Sequence, residues 1–313
     1  GWRGPAPEGL PPQYQLVLER LPRRPTAHGL PFSTRELSIA FPGQLPEPVR
    51  LVECDDDPWG QTVFHRRGEE DPFGARVWPL AYVCAAELLR LGVAGRSVLE
   101  LGCGCGLVSL AARSAGARLV LATDRSVPNL QLVSASAALC GGSPAGEFLA
   151  ELFDVTLEAL PLPRRSALHG GNRRVQPYAA ECSERLPERF DFVAFSDVLY
   201  WPAESRGFGL RAAQALAAGS TVVVADCLRQ WDAFARGLGE GAAAFGLPAP
   251  VAVPRPVTIP PSVQSWICPE TGSPANTTDL APSLLVLRPP AGLGPQPRPQ
   301  PPKLPLGSWR DHV

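Results

Sequence analysis

Short apolar runs alternate with stretches in which apolar residues return every three or four positions, from about residue 78 to residue 245. The runs predict buried strands and the spaced stretches predict helices with one buried face. Val98-Leu99-Glu100-Leu101, Leu119 to Thr123, Glu147 to Phe153, Phe190 to Phe195 and Ser220 to Ala225 read as successive strands. Helical spacing runs from Trp78 to Leu91, over Leu107 to Ala112, through Leu130, Val133 and Ala137, and from about Gln230 to Phe245. Ser126 is placed to cap the third of these helices, and Gly141-Gly142 ends it. Upstream, Tyr14 to Leu18, Leu37 to Phe41 and Val49 to Glu53 predict short strands between proline turns. Downstream, Val251 to Val253 and Ser283 to Leu287 would complete the sheet. Strand and helix in alternation predict a doubly wound, mostly parallel α/β sheet that binds its ligand at the carboxyl ends of the strands.

The pattern also divides the chain. Residues 1–36 read as a flexible N-terminal segment, residues 37–73 as a small β extension, and residues 37–288 as the whole folded unit including it. A proline-, arginine- and glycine-rich insertion at about 160–188 has no clear period and is too long for an ordinary connection. From 289 to 313 the proline density predicts a disordered tail.

Candidate chemistry concentrates at the first strand of the alternating region. Val98-Leu99-Glu100-Leu101 runs into Gly102-Cys103-Gly104-Cys105-Gly106 and then into Leu107-Val108-Ser109-Leu110, a strand, a glycine turn and a helix start. Glycines there let the backbone approach a ligand closely. The spacing is G-x-G-x-G, with Leu107 where a dinucleotide fingerprint has its last glycine, and Glu100 before the turn would repel a pyrophosphate. An acid at that place suits a ligand carrying a cationic amine, which S-adenosylmethionine has. The next strand ends in Asp124, positioned to grip ribose hydroxyls, a feature that dinucleotide enzymes share.

Composition narrows the partners. The 313 residues suffice for a sizeable core, and a formal charge of −1 gives no global pull toward a polyanion. No basic stripe with interleaved aromatics appears, so no nucleic-acid partner is expected. No apolar run reaches membrane-spanning length and no secretory leader opens the chain, so no membrane partner is expected and the cytoplasm is the expected compartment, with the nucleus open. Eight cysteines without framework spacing fit a reducing compartment. Cys103 and Cys105 lack a second Cys/His pair at zinc spacing, so no metal site is expected.

Three elements resemble the seven-β-strand S-adenosylmethionine-dependent methyltransferases, and within them the methyltransferase-like protein-lysine methyltransferases (methyltransferase family sixteen). They are Gly74-Ala75-Arg76-Val77-Trp78-Pro79, the stretch Val98 to Val108 followed by Thr123-Asp124, and Asp197-Val198-Leu199-Tyr200. The resemblance implies a Rossmann-like sheet whose seventh strand is antiparallel and lies beside the fifth. It implies that Trp78 covers the cofactor, that Glu100, Gly102 and Gly104 hold its methionine end, that Asp124 holds the ribose, and that Asp154 accepts the adenine amino hydrogen. Asp197 and Tyr200 would be the catalytic pair bordering the methyl acceptor. The implied cofactor is S-adenosyl-L-methionine and the implied partner a protein substrate, met by a monomer. Other acceptors remain open, namely a histidine or arginine side chain or a small molecule, as does a non-catalytic interaction protein that keeps the fold. The fourth strand ends in Asp-Val-Leu-Tyr rather than the Asn-Pro-Pro-Tyr used for planar amines.

Overall fold

The computed structural model describes residue 30 and residues 33–55, 72–140, 146–156, 160, 189–260 and 281–290. Two strands, β1 (Thr34–Ile39) and β2 (Val49–Cys54), form an antiparallel hairpin of their own. The rest is a seven-stranded sheet with helices on both faces. Its strands are β3 (Ser97–Leu101), β4 (Leu119–Asp124), β5 (Glu147–Leu152), β6 (Phe192–Ser196), β7 (Thr221–Asp226), β8 (Arg255–Pro256) and β9 (Ser283–Leu287), in the spatial order β5-β4-β3-β6-β7-β9-β8. Neighbours from β5 through to β7 are parallel, and β9 runs antiparallel between β7 and β8. The expected doubly wound sheet with its last strand beside the fifth is therefore what forms. The order reverses between β3 and β6, the place where open α/β sheets leave a crevice at their carboxyl edge.

All five residues of β3 and all six of β4 are buried, as parallel strands covered on both faces must be. One face carries α1 (Pro79–Leu91), α2 (Leu107–Ser114) and α3 (Val127–Leu139). The other carries α4 (Pro202–Ala217) and α5 (Trp231–Ala244). Helix α1 starts on a proline and stops on left-handed Gly92, at φ 83°, which the sequence signals for.

Three elements differ from the sequence expectation. Helix α4 has no counterpart in the periodicity reading. Twelve of its 16 residues are buried, Arg211 and Gln214 among them, so no polar stripe alternates with an apolar one. It packs backbone to backbone on α5: a Cβ at Gly209 would stand 2.2 Å from the Phe234 carbonyl oxygen, and one at Gly237 would stand 2.1 Å from that of Arg206. The sixth sheet strand is Arg255–Pro256 rather than 251–253, where Val251 and Val253 are exposed. Pro254 and Pro256 lack the N–H a longer ladder needs. The hairpin begins three residues earlier than the expected strand, at Thr34. The expected strand at 14–18 and the tail from 291 onward lie outside the described residues, as does all of the 160–188 insertion except Leu160.

The hairpin is fastened to the sheet domain rather than appended to it. Val52 donates its N–H to Ser136 Oγ of α3 at 2.8 Å, and Phe41 stacks on Tyr82 of α1 with ring centroids 4.7 Å apart. Its buried Glu53 reaches the segment just before α1, which matters for the site.

Candidate functional site

A cavity of about 700 Å³ opens at the carboxyl ends of β3, β4 and β6, large enough for a nucleoside-sized ligand. Seven of the eight residues expected from sequence line it: Trp78, Gly102, Gly104, Asp124, Asp154, Asp197 and Tyr200. Glu100 does not.

The turn after β3 explains why. Gly102, Gly104 and Gly106 all have positive φ (68°, 51° and 82°), which folds the chain sharply from strand into α2. The first turn of α2 has no side-chain cap of its own. Glu100 supplies one from the strand: its Oε2 accepts from Ser109 N at 2.9 Å and from Ser109 Oγ at 2.5 Å. The third N–H of a helix lacks an intrahelical partner, and an acceptor oxygen placed there satisfies it. The Glu100 carboxylate, expected to face a ligand amine, is bonded to Ser109 instead; the residue is 1% exposed, does not line the cavity, and burial pushes its pKa up to about 8.

Asp124 lies on the wall, yet much of its carboxylate is engaged by the protein. Oδ2 accepts from Gly104 N (2.9 Å), and Oδ1 accepts from Ser126 N (2.8 Å) and Asn129 Nδ2 (3.2 Å). Of roughly four acceptor positions on a carboxylate, that leaves about one. Burial raises its pKa, against the pull of those donors. Beside it, Ser126 Oγ and Asn129 Oδ1 are buried without a hydrogen-bond partner among the described residues, and both residues line the cavity. Asp154 is tied into a local turn, its Oδ1 accepting from Thr156 N (2.8 Å) and Oγ1 (2.6 Å).

Trp78 caps the start of α1. The preceding Val77 donates its N–H to Glu53 Oε2 at 2.9 Å, and Glu53 also pairs with Arg35 of β1. The hairpin thus anchors the wall that carries Trp78.

At the other end stand the residues after β6. Asp197 has φ 52° and a side chain 9% exposed, paired through Oδ1 with Arg229 Nη1 at 2.9 Å. Burial raises the Asp197 pKa and Arg229 opposes the rise. Tyr200 meets Trp201 edge to face, with centroids 6.4 Å apart, and Trp201 is 53% exposed. A second ion pair on the wall, Arg125 with Glu204 at 2.9 Å, joins the end of β4 to the start of α4.

Ser126, expected to cap α3, stands at its N-cap position but makes no side-chain cap bond there. Sequence reasoning missed Arg229, Asn129 and the Arg125–Glu204 pair, which no local pattern distinguishes from other polar positions. It also missed Asp226, which ends β7 as Asp124 ends β4; an acid closing an apolar run was the available signal. Among the described residues no group of three or more His, Cys, Asp and Glu side chains is placed to hold a metal ion. Cys103 and Cys105 are buried thiols whose pKa burial drives well up, which makes them poor nucleophiles. No described helix is long and apolar enough to cross a membrane.

No protein-family model matches the chain. Over 56 residues, 17% of this chain, it is 48% identical to the electron transfer flavoprotein beta subunit lysine methyltransferase of Danio rerio, covering 22% of that protein. Over 148 residues, 40% of the chain, it is 29% identical to ribosomal protein L11 methyltransferase of Methylobacillus flagellatus, covering 49% of it. The chain therefore spans less than half the length of either relative. Among solved structures, magnesium protoporphyrin IX methyltransferase from Synechocystis PCC 6803 with bound SAM superposes with a TM-score of 0.39 at 14% identity, over 67% of this chain and 77% of that one. The sheet, with its last strand antiparallel beside its fifth, is a Rossmann-like doubly wound α/β sheet, and the partial sequence matches are to two methyltransferases.

Proposed function

We propose that this chain is an S-adenosylmethionine-dependent methyltransferase that acts on a protein lysine. The observation that carries the reading is one cavity whose wall joins a left-handed glycine turn and the buried Asp124 to Asp197 and Tyr200. The donor fits beside the glycine turn. Gly102, Gly104 and Trp78 would border it, and the buried, unpartnered Ser126 Oγ and Asn129 Oδ1 beside Asp124 suit the hydroxyls of a ribose. An unsatisfied buried polar atom costs about 1–3 kcal/mol, so a ligand that satisfies it gains affinity. Glu100 acts indirectly in this reading, by holding the turn to α2. Asp154 would stand at the base-binding side, at the end of β5.

The bound donor would supply a methyl group activated by its positive sulfur. What remains for the protein is alignment, which can contribute on the order of 7–11 kcal/mol. Asp197 and Tyr200 would orient the acceptor nitrogen. Arg229 offsets part of the Asp197 charge, so the carboxylate holds an arriving ammonium less strongly while the nearby cation disfavours it, and the balance moves toward the uncharged, nucleophilic amine. The lysine acceptor is supported by the Asp197-to-Tyr200 element and by the first relative's name; both relatives' names specify protein acceptors.

The test is incubation with a methyl-labelled donor and a cell extract, then peptide mapping of the labelled material. Base-stable label on lysine supports the reading; label confined to nucleic acid or small metabolites overturns the acceptor, and no donor binding by calorimetry overturns the whole. Asp197→Ala is expected to abolish transfer and leave donor affinity nearly unchanged. An equal fall in affinity would reassign Asp197 to the donor end.

A further inference from the structure

Among the described residues only two non-glycines have positive φ, Asp197 at 52° and Leu228 at 59°. They sit on the two loops that close the Tyr200 end of the cavity, after β6 and after β7. A left-handed L-residue costs about 1–2 kcal/mol, so the surroundings must impose the conformation. Asp226, the last residue of β7 and wholly buried, lies between the loops. Its Oδ2 accepts from Val198 N (2.8 Å) and Leu199 N (2.9 Å) on the β6 side, and its Oδ1 accepts from Leu228 N (2.7 Å) on its own side. Each strained residue is therefore adjacent to, or is itself, a residue bonded by this one carboxylate. Just beyond them, Asp197 and Arg229 meet at 2.9 Å. Two backbone bonds also cross this junction, from Gln230 N to the Leu199 carbonyl at 3.1 Å and from Asp197 N to the Ala225 carbonyl of β7 at 2.9 Å; neither reaches Leu228 or holds the Asp197 side chain. Burial and the Asp197 charge push the Asp226 pKa up to about 6, so this carboxylate is kept in place against an electrostatic cost.

We infer that Asp226 is a positioning residue for methyl transfer. Its carboxylate latches the loop after β6 to the loop after β7 and so fixes Asp197 against Arg229 at the acceptor end. It touches no substrate and acts through these neighbours. The functional consequence rests on the methyltransferase reading; the latch itself does not.

Asp226→Asn in the full chain keeps the side-chain shape, but an amide nitrogen facing Leu228 N–H cannot accept from it. Hydrogen exchange at the Val198, Leu199 and Leu228 amides reads the latch directly. In the wild-type chain these amides are expected to exchange at least about a hundredfold slower than in an unfolded chain, and in the variant at least about tenfold faster than in the wild type. The methyl-transfer rate should fall at least about tenfold while affinity for S-adenosylhomocysteine stays within about threefold, since an interaction lost at the acceptor end weakens the transition state alone. Adding Leu228→Gly, which removes the left-handed cost, should recover protection at Val198 and Leu199. Unprotected amides in the wild-type chain overturn the inference, and that measurement decides it even should the variant not fold. Donor affinity falling in step with the transfer rate and the unfolding midpoint would also overturn it, by making Asp226 a general stabiliser. A wild-type chain that neither binds S-adenosylhomocysteine nor transfers methyl refutes the proposed function, with the exchange result still deciding the latch.

Discussion

Gly104 shows how one position answers to three demands. Its φ of 51° favours glycine, its N–H goes to Asp124, and a Cβ there would stand 2.8 Å from the Gly74 carbonyl oxygen. The close approach that excludes a side chain is to the protein's own segment before α1. Gly104→Ala is therefore expected to destabilise the fold by about 1–3 kcal/mol through backbone strain, and to weaken donor binding as the turn shifts against Gly74. Chemical denaturation and calorimetry check both; an alanine variant with wild-type stability would mean that the turn relaxes freely. Asp154 is the contrasting residue. Its partner, Thr156, is two positions away, so its place is set locally and it owes little to the rest of the fold.

At the scale of elements, the hairpin and the two helices α4 and α5 govern the cavity from outside its wall. Glu53 of β2 accepts the Val77 N–H and pairs with Arg35, which makes the hairpin the anchor for Trp78. Glu53→Ala would leave a buried N–H unsatisfied at a cost of about 1–3 kcal/mol. The expected outcome is a lower unfolding midpoint together with weaker donor binding, and Glu53→Gln, which still offers an acceptor oxygen, should restore part of both. Loss of stability with unaltered binding would show that the hairpin supports the fold but not the Trp78 wall. Helix α4 escaped the sequence reading because glycine-mediated contact with α5 buries it nearly all round, and periodicity registers only one-sided burial.

For the whole molecule, the reversal of strand order between β3 and β6 brings acids from several strand ends close together at the carboxyl edge of the sheet. Glu100, Asp124, Asp197 and Asp226 all have pKa values raised by burial. The folded chain keeps the Glu100 proton up to about pH 8, whereas the reference value for release is 4.5. Between those limits the folded state binds more protons than the unfolded, so stability is full below the window and falls as pH rises through it. The other three acids act with the same sign. Glu100→Gln keeps an acceptor for Ser109 and removes one titration. Its stability should therefore decline less steeply than the wild type's across the window, by up to about 1.4 kcal/mol per pH unit. Unfolding curves at several pH values decide this, and equal slopes would place the Glu100 titration outside the window.

Residue order alone was enough for the first five strands of the sheet, for four of its five helices and for the place of the cavity. Buried parallel strands demand continuous apolar runs, and successive left-handed positions favour glycine, so β3, β4 and the Gly102–Gly106 turn are legible in local residue order, as is Asp197 as the acid closing the apolar run of β6. Tertiary structure decided which carboxylates face the cavity and which are used by the protein. Glu100 is claimed by Ser109 across the turn, Asp226 by Val198 and Leu199 from a neighbouring strand end, and Asp197 by Arg229 from the loop opposite. Those partners are brought together only when the sheet assembles, because a side chain's hydrogen bonds depend on what is near in space, and residue order alone does not specify it.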